Sequence, residues 1–303
     1  MEIVSASMLE AIYSTFSVLF LQGRGEATPV AQQLATIRNV TTRDAKFIIP
    51  GQLGRMRKWI GERVAQNINA QDVKLSVEDY ESTVEVQRND ILDDQLGIYT
   101  DMVQDLGKQA AYLKDDLVTD ALMQGETNLA YDGQYFFDTD HPLDMANPAS
   151  EVQSNLFAGR PLNEANYAWV RAQGALLRGP DGRAMRLRFD TLVVGPSQEV
   201  AARRLVESKT SFDPTTGGQR DNVLQGSAKV VVLPEITDDS WYLIAGGNAV
   251  KPIILLVRQE PKLVRKDQDN DESVFWRKLY HYGVDARMVA GYGPWWLALK
   301  AKP

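Results

Sequence analysis

The segment YTDMVQDLGKQAAYLKDDLVTDALMQ, residues 99–124, is followed closely by Tyr131-Asp-Gly-Gln-Tyr-Phe-Phe-Asp-Thr-Asp-His-Pro142. In and just before the first segment, apolar side chains recur every three or four residues, which predicts one long helix with an apolar face. They are Ile98, Met102, Leu106, Ala110, Leu113, Leu117 and Ala121. Thr100 is the predicted N-cap and Gly125 the predicted stop. At 1.5 Å per residue this spine helix would span roughly 39 Å. The second segment, rich in rings and acids, predicts a structured aromatic turn.

The region before the spine helix divides into an N-terminal arm and a hairpin. Apolar residues of 1–22 repeat at helical spacing, which predicts a helix that packs either on its own domain or on a neighbouring subunit. Residues 23–45 are interrupted by glycine and proline, and 36–42 alternates like a strand. Residues 46–90 contain a short apolar strand and two alternating segments, 73–77 and 81–87, which predict a hairpin-like unit with little core of its own. Such a unit needs a partner surface.

A basic cluster lies inside this hairpin unit. It consists of Arg55, Arg57, Lys58, Trp59 and Arg63. Three interpretations remain open: a contact with acidic residues of a neighbouring subunit, a solvated charged face, or a nucleic-acid patch that would give salt-dependent DNA binding. The first is favoured because the chain is acidic overall.

The C-terminal half predicts a mixed unit of helices and buried strands. Two helices are predicted, at 163–177 and 198–207, on either side of the apolar strand 191–194 in sequence. Ser197 is the predicted N-cap of the helix 198–207. Residues 208–227 are a predicted polar loop that makes contacts. Further buried strands are predicted at 229–233, 241–245 and 252–257, and residues 258–272 hold alternating charges. Residues 273–282 and 284–289 are predicted long β segments.

The composition argues against several classes of protein and of site. The 303 residues carry a formal net charge of −7, which argues against a protein whose main task is to grip nucleic acid with a basic surface. With no cysteine, disulfides and thiolate metal sites are impossible. The first 22 residues lack the basic segment of a signal peptide, and no run of 18 apolar residues predicts a membrane helix. The chain is expected in the cytoplasm where it is made.

Asp138, Asp140 and His141 are the residues most suited to chemistry. Two carboxylates and an imidazole can bind a divalent metal or act as base and orienter. Their spacing matches no standard metal motif, so the preferred interpretation is a turn in which Asp caps backbone N–H groups and His donates to a carbonyl. His281 is predicted to be a packed strand residue. No nucleophile elbow, P-loop or dinucleotide fingerprint is present. The sequence therefore predicts no catalytic residue, no metal site and no cofactor.

The order of elements, and three local motifs, resemble a known family. The motifs are Arg55-x-Arg57-x-Trp59-Ile-Gly61, Arg88-x-Asp90-Ile91 and the aromatic turn Tyr131–Pro142. They look like the Mu-like phage major head subunit (gpT-type major capsid protein), which has the HK97-like capsid fold. The resemblance covers most of residues 45–145 at the level of motifs, and the rest at the level of element order.

The resemblance implies an α+β fold in four parts. An N-terminal arm (1–45) and an extended β-hairpin loop (46–90) precede a peripheral domain with the spine helix (91–160 and 251–303), into which an axial α/β domain (161–250) is inserted. It implies a capsid protein of the virion, assembled in the host cytoplasm. Pentamers and hexamers would form an icosahedral shell around double-stranded DNA, with scaffold, portal and decoration proteins as partners. The basic cluster would contact acidic residues of the next subunit, such as those at 90–94 or 267–272. Charge reversal at Arg57 is then expected to prevent capsids from forming while the monomer still folds. The alternatives are an encapsulin-like compartment shell and a metal-dependent hydrolase that uses Asp138, Asp140 and His141.

Overall fold

The computed structural model describes residues 6–49, 71–92, 96–143, 150–179, 182–212, 218–268 and 271–303. Its α-helices are α1 (Ala6–Glu26), α2 (Ala31–Leu34), α3 (Arg88–Leu92), α4 (Leu96–Met123), α5 (Glu164–Leu176), α6 (Glu199–Val206) and α7 (Glu272–Arg277). Its strands are β1 (Ala35–Asn39), β2 (Asp44–Ile49), β3 (Gln71–Ser76), β4 (Glu78–Gln87), β5 (His141–Pro142), β6 (Val152–Gln153), β7 (Leu156–Phe157), β8 (Thr191–Val194), β9 (Thr210–Phe212), β10 (Gln219–Asp221), β11 (Lys229–Val232), β12 (Trp241–Ile244), β13 (Ile253–Lys266), β14 (Leu279–Tyr292) and β15 (Ala298–Ala301).

A four-stranded sheet in the order β1-β13-β14-β4 forms one half of the molecule. β1 is parallel to β13, and the other neighbours are antiparallel. The apolar start of β13 is fully buried, as predicted. The strand then continues through Pro261 to Lys266, so more than half of the segment with alternating charges, 258–272, is a strand. Register shifts on both sides of Gln259 accommodate the proline, which cannot donate to a regular ladder.

The spine helix α4 lies against this sheet and against α1. It begins at Leu96, so Thr100 is not its N-cap; the Thr100 hydroxyl instead donates to the Gly97 carbonyl at 2.7 Å. Val103 is buried where the predicted stripe had the half-exposed Met102. The predicted N-terminal helix is confirmed as α1, and it packs on its own chain. Its buried residues Leu9, Ile12, Phe16 and Phe20 share one cluster with α4 and the sheet.

Backbone-to-backbone approach fixes the crossing of α1 and α4. A Cβ on Gly23 of α1 would lie 2.0 Å from the carbonyl oxygen of Gln104, and a Cβ on Gly107 would lie 2.3 Å from that of Phe20. Only glycine fits at such distances. The spine helix also caps the next short helix, because the Asp115 carboxylate accepts the N–H groups of Val30 and Ala31 at 2.9 and 2.7 Å. Burial nevertheless raises the pKa of the Asp115 carboxyl.

A five-stranded sheet in the order β11-β8-β12-β15-β7 forms the other half. The predicted strands β8, β11 and β12 and the predicted helices α5 and α6 are confirmed within one or two residues. Ser197 is not the N-cap of α6; Gln198 occupies that position without a side-chain cap. Strand β15, from residues 298–301, lies between β12 and β7, and the short β7, from residues 156–157, forms one edge of the sheet. The four-part domain division remains a prediction.

Three smaller segments differ from the sequence predictions. Residues 273–277 lie in the helix α7, although Val, Phe and Trp favour strands, because the Asp271 region starts a helical turn before β14. The predicted polar loop at 208–227 contains the short hairpin of β9 and β10. The predicted hairpin unit divides in two: β2 pairs with β3, whereas the strand predicted at 81–87 is part of β4 and pairs with β14.

Candidate functional site

The aromatic turn joins the end of the spine helix to both sheets. Phe136 and Phe137 are buried, and the Phe136 ring stacks on Tyr292 of β14 with centroids 4.5 Å apart. The Phe137 ring lies 5.5 Å from that of Tyr242 in β12. The α-helix ends at Met123, and Gly125, the predicted stop, lies in the 3₁₀ turn that follows. A Cβ on Gly125 would lie 2.5 Å from the Phe137 ring, so packing also requires glycine there. The turn therefore sets how the helix meets the two sheets.

His141 lies at the centre of this junction and is fully buried. Its Nδ1 is 2.7 Å from Asp132 Oδ2, and its Nε2 is 3.2 Å from Asn155 Oδ1. The ring stacks on Trp295 with centroids 4.0 Å apart and an interplanar angle of 7°. The predicted histidine–carbonyl bond is therefore replaced by a carboxylate and an amide. Both ring nitrogens have partners within the chain, so neither is directed at a ligand site.

Asn155 holds several strands of this junction together. Its amide nitrogen donates to the carbonyl of Phe136 at 2.8 Å, and to those of Trp295 and Ala298 at 3.2 Å. Its oxygen accepts the N–H of Asp138 at 2.9 Å. The residue is completely buried. Sequence analysis missed Asp132, Asn155 and Trp295 as partners of His141, and only Asp132 is near enough in sequence to have been suspected.

The acids of the turn stabilise its backbone. The Asp138 carboxylate accepts the N–H of Thr139 at 2.7 Å and that of Tyr135 at 3.3 Å, which confirms the predicted capping role. Asp140 is exposed; desolvation and the neighbouring Asp138 carboxylate raise the pKa of its carboxyl. Within the described residues, no group of three or more His, Cys, Asp and Glu side chains is arranged to hold a metal ion.

The second histidine, His281, lies in β14 opposite Glu85 of β4, and its Nε2 is 3.2 Å from the Glu85 carboxylate.

A partly buried charge cluster links the end of the spine helix to the last strand. Glu126 accepts from Lys300 at 2.7 Å and from Lys302 at 2.5 Å. Lys300 is almost completely buried and also lies over the rings of Phe137 and Tyr242. Burial raises the pKa of the Glu126 carboxyl, but the hydrogen bonds from the two lysines outweigh burial, so the pKa lies below its usual value.

The base of the β2–β3 hairpin is anchored on its own chain. Leu75 packs on Gly291, where a Cβ would lie 2.5 Å from the leucine side chain. Ala45 of β2 shares a small buried cluster with Ile254 and Leu256 of β13. The hairpin was predicted to have little core of its own, and its base packs on β13 and β14 of the same chain. The predicted contact residues Arg55, Arg57, Lys58, Trp59 and Arg63 lie outside the described residues.

The acids expected to meet that basic cluster have different surroundings. Asp267 is completely buried, accepts from the Tyr282 hydroxyl at 3.3 Å and lies 3.7 Å from Arg265. Asp90 accepts a hydrogen bond from Tyr99. These two carboxylates are engaged within the chain. Asp93, Asp94 and Asp269 lie outside the described residues, and Glu272 is exposed. Strand β4, at the edge of the four-stranded sheet, also carries exposed carboxylates.

Comparison with known proteins gives the same family along the whole described chain. The family model described as Mu-like prophage major head subunit gpT matches residues 9–161, 157–236 and 234–303. The Mu-like prophage FluMu major head subunit of Haemophilus influenzae is 27% identical over 99% of this chain and 74% of its own length. The major capsid protein of Escherichia phage Mu is 26% identical over 99% of this chain and 75% of its own length.

Solved structures show the fold. A chain of the bacteriophage JBD30 procapsid matches with a TM-score of 0.63 and 27% identity, over 99% of this chain and 76% of that chain. A virus-like particle from Pyrococcus furiosus shares only the fold, at 10% identity and a TM-score of 0.55 over 96% of this chain. The predicted α+β, HK97-like capsid fold is thereby confirmed. The chain belongs to the family of the Mu-like prophage major head subunit gpT, and it is a major capsid protein that forms the phage head shell.

Proposed function

We propose that this subunit assembles with copies of itself as pentamers and hexamers into an icosahedral shell that encloses double-stranded DNA. The observation that supports this most is the family match from residue 9 to residue 303, which includes both sheets and the spine helix. The protein is a component of the virion capsid. It would not bind DNA by sequence, because a chain with a net charge of −7 offers no general basic surface.

The proposed subunit follows the four-part division: arm 1–45, extended loop 46–90, peripheral domain 91–160 and 251–303, and axial domain 161–250. The extended loop would lie over the adjacent subunit. Its base is rigid, because β2 and β3 pair along their length and Leu75 packs on Gly291. The basic cluster at 55–63 would then contact carboxylates of the next copy. Charge attraction of this kind improves specificity and the rate of encounter more than affinity.

Other head proteins are proposed partners. The capsid of bacteriophage JBD30 has been solved decorated with minor capsid protein trimers. Its matching chain is 24% identical over 66% of this chain and 88% of that chain. A scaffold, a portal and a decoration protein are proposed here by analogy. Among the described residues, no helix is both long and apolar enough to cross a membrane.

The subunit is also proposed to have no catalytic role, in keeping with its structural family. The hydrolase alternative required His141 as a ligand or base. Its two ring nitrogens are engaged by Asp132 and Asn155, and Asp138 binds backbone N–H groups. Metal analysis of the purified protein tests this point. Stoichiometric bound metal that is lost in Asp140→Ala would support the metal-dependent hydrolase instead.

The size of the purified protein tests the main proposal. We expect closed shells or ring-shaped capsomers by light scattering and negative-stain imaging, if necessary with the neighbouring head genes co-expressed. Arg57→Glu should abolish particles without changing the melting temperature of the monomer, whereas Arg57→Lys should retain them. A persistent monomer in co-expression would contradict self-assembly. Particles filled with a protein cargo instead of DNA in infected cells would favour the encapsulin-like compartment.

A further inference from the structure

The short helix α7 carries an exposed aromatic pair. Phe275 and Trp276 are 71% and 76% exposed, and their rings meet edge to face with centroids 5.0 Å apart. The opposite side of the helix is anchored, since Val274 is buried in the cluster that includes α1 and the spine helix. Two large exposed rings held rigidly on a surface are typical of the centre of a protein interface.

Two basic residues follow these rings directly. Arg277 and Lys278 are exposed, and across the described residues neither side chain has an ion-pair partner; the acid on the same helix, Glu272, is exposed at its first turn. The two adjacent cations oppose the acidic balance of the chain. We call the surface formed by Phe275, Trp276, Arg277 and Lys278 the tip patch. Its composition fits an acidic partner surface with some apolar area.

The fold itself does not require a lysine at one of these positions. Lys278 has φ of 56° and ends α7 in the left-handed conformation, where its N–H bonds to the carbonyls of Ser273 and Val274. Glycine adopts this conformation without a Cβ penalty. Lys278→Gly therefore removes a charge from the tip patch while it relaxes the backbone, which separates a folding role from a binding role.

The strand β4 provides a complementary surface. It carries four exposed carboxylates and forms an outer edge of the four-stranded sheet, with no further described strand beyond it. The four are Glu78, Asp79, Glu81 and Glu85. Asp79 pairs with Arg287, and Glu85 lies near His281. In the described part of the chain, Glu78 and Glu81 have only the hydroxyls of Tyr80 and Thr83 as polar partners.

Edge strands can pair with strands of other molecules, and charged side chains limit that pairing. Four like charges prevent two copies of β4 from pairing with each other. The same charges favour a basic surface. The carboxylates of Glu78 and Glu81 remain without a cation in the described chain, so they are the best acceptors for Arg277 and Lys278 of another molecule.

The two surfaces lie at neighbouring places on one subunit. Gln87, the last residue of β4, pairs with Leu279, and the next N–H, that of Arg88, donates to the Lys278 carbonyl at 2.9 Å. They are nevertheless different surfaces. A contact between one surface and the other on a second copy is head-to-tail, and such contacts close into rings when the rotation allows.

We propose that the tip patch docks on strand β4 of a second copy of this chain, with the two rings against the strand and the cations facing Glu78 and Glu81. This inference rests on the proposed self-assembly. It identifies an interface that is separate from the basic cluster at 55–63. The chain supplies both partners, so every subunit in a shell would present one donor surface and one acceptor surface.

Cysteine cross-linking tests the contact, because the natural chain has no cysteine. Glu272→Cys places a thiol on α7 and Thr83→Cys places one on β4, both at exposed positions outside the proposed ion pairs. The two variants are produced separately and co-assembled, so any mixed disulfide joins two copies. We expect a dimer on a non-reducing gel that neither variant gives alone. A control mixture of Glu272→Cys with Val200→Cys, exposed on α6, should give none.

Substitutions of the tip patch give a second readout. Trp276→Ala should lower particle yield at least tenfold with an unchanged melting temperature, and Trp276→Tyr should restore the yield. Lys278→Gly should lower yield while the melting temperature stays equal or rises. Arg277→Glu should lower yield, and Arg277→Glu combined with Glu81→Arg should recover part of it.

The outcomes separate this contact from self-assembly as a whole. Normal particle yield from Trp276→Ala would overturn the contact alone. So would a mixture of Glu272→Cys and Thr83→Cys that gives no more mixed disulfide than the control mixture with Val200→Cys. Absence of particles from the unchanged chain under co-expression would count against self-assembly, and the contact would fail with it.

Discussion

Replacing Gly23 by alanine should detach the N-terminal helix α1 from the spine helix. The added Cβ would lie 2.0 Å from the Gln104 carbonyl oxygen and 2.9 Å from its carbon. Close carbon–oxygen contacts in proteins are about 3.3 Å or longer, so the two helices would have to separate by about 1 Å. Both contact partners are backbone atoms, and no side chain can rotate away to relieve the overlap.

Two opposing effects determine how much stability Gly23→Ala should lose. Overpacking of this kind costs about 1–3 kcal/mol, and rigid backbone on both sides places Gly23→Ala near the upper end. Alanine in a helix gains about 1 kcal/mol over glycine. The expected net loss is about 2 kcal/mol. Separation would also loosen the contacts of Phe16 and Phe20, which are 1% and 2% exposed.

Gly25→Ala is the matched control, two residues away in the same helix. Nothing lies within 4 Å of its added Cβ, so the helix preference of alanine acts alone, and stability should be unchanged or rise by up to about 1 kcal/mol. Urea unfolding followed by circular dichroism measures the global effect, and hydrogen exchange of the α1 amides measures local detachment. Equal stability and equal α1 protection in both variants would refute the argument from close approach.

Two further predictions concern the buried polar clusters. The pKa of Glu126 is lowered by Lys300 and Lys302, so its contribution to stability is complete above the usual carboxyl pKa and is lost as the pH falls through the lowered folded-state value. Glu126→Gln should therefore be less stable than the natural chain at pH 7, with the difference shrinking toward pH 3 in urea titrations; a constant difference would contradict this origin. Asn155→Ala leaves three buried carbonyls and His141 without their amide partner, and should cost about 3 kcal/mol or more. Retention of the natural melting temperature would show that the network does not hold the junction.

Local sequence patterns predicted those elements whose burial repeats with a helical or strand period. The spine helix and the buried strands β8, β11 and β12 are of this kind: the strands and the second half of the helix share one core, and the first half of the helix packs in the cluster with α1. With Thr100 as N-cap the helix would start at residue 101, five residues after its observed start at Leu96; Thr100 instead bonds back to Gly97 within a helix that has already begun. Such boundary errors arise because capping residues also occur inside helical first turns.

Elements that depend on tertiary contacts were not predictable in the same way. The continuation of β13 past Pro261 requires two register shifts and a partner strand, and neither leaves a period in the sequence. Val274, Phe275 and Trp276 favour a strand locally but form a helix, because only Val274 has a core to enter. For the aromatic turn, the resemblance to the Mu-like family predicted the fold, but Asn155 and Trp295 reach His141 from distant parts of the chain.

The junction around His141 explains why a motif that looks catalytic is better suited to a shell protein. Apart from the exposed Asp140, its acid and imidazole groups are engaged within the chain: the imidazole lies between Asp132, Asn155 and the Trp295 ring, and Asp138 faces backbone N–H groups. Buried polar groups that are fully paired favour one arrangement of the surrounding elements over others. Here those elements are the end of the spine helix and the adjoining strands of both sheets. A subunit that must repeat the same contacts in every copy needs such a fixed angle between its two halves.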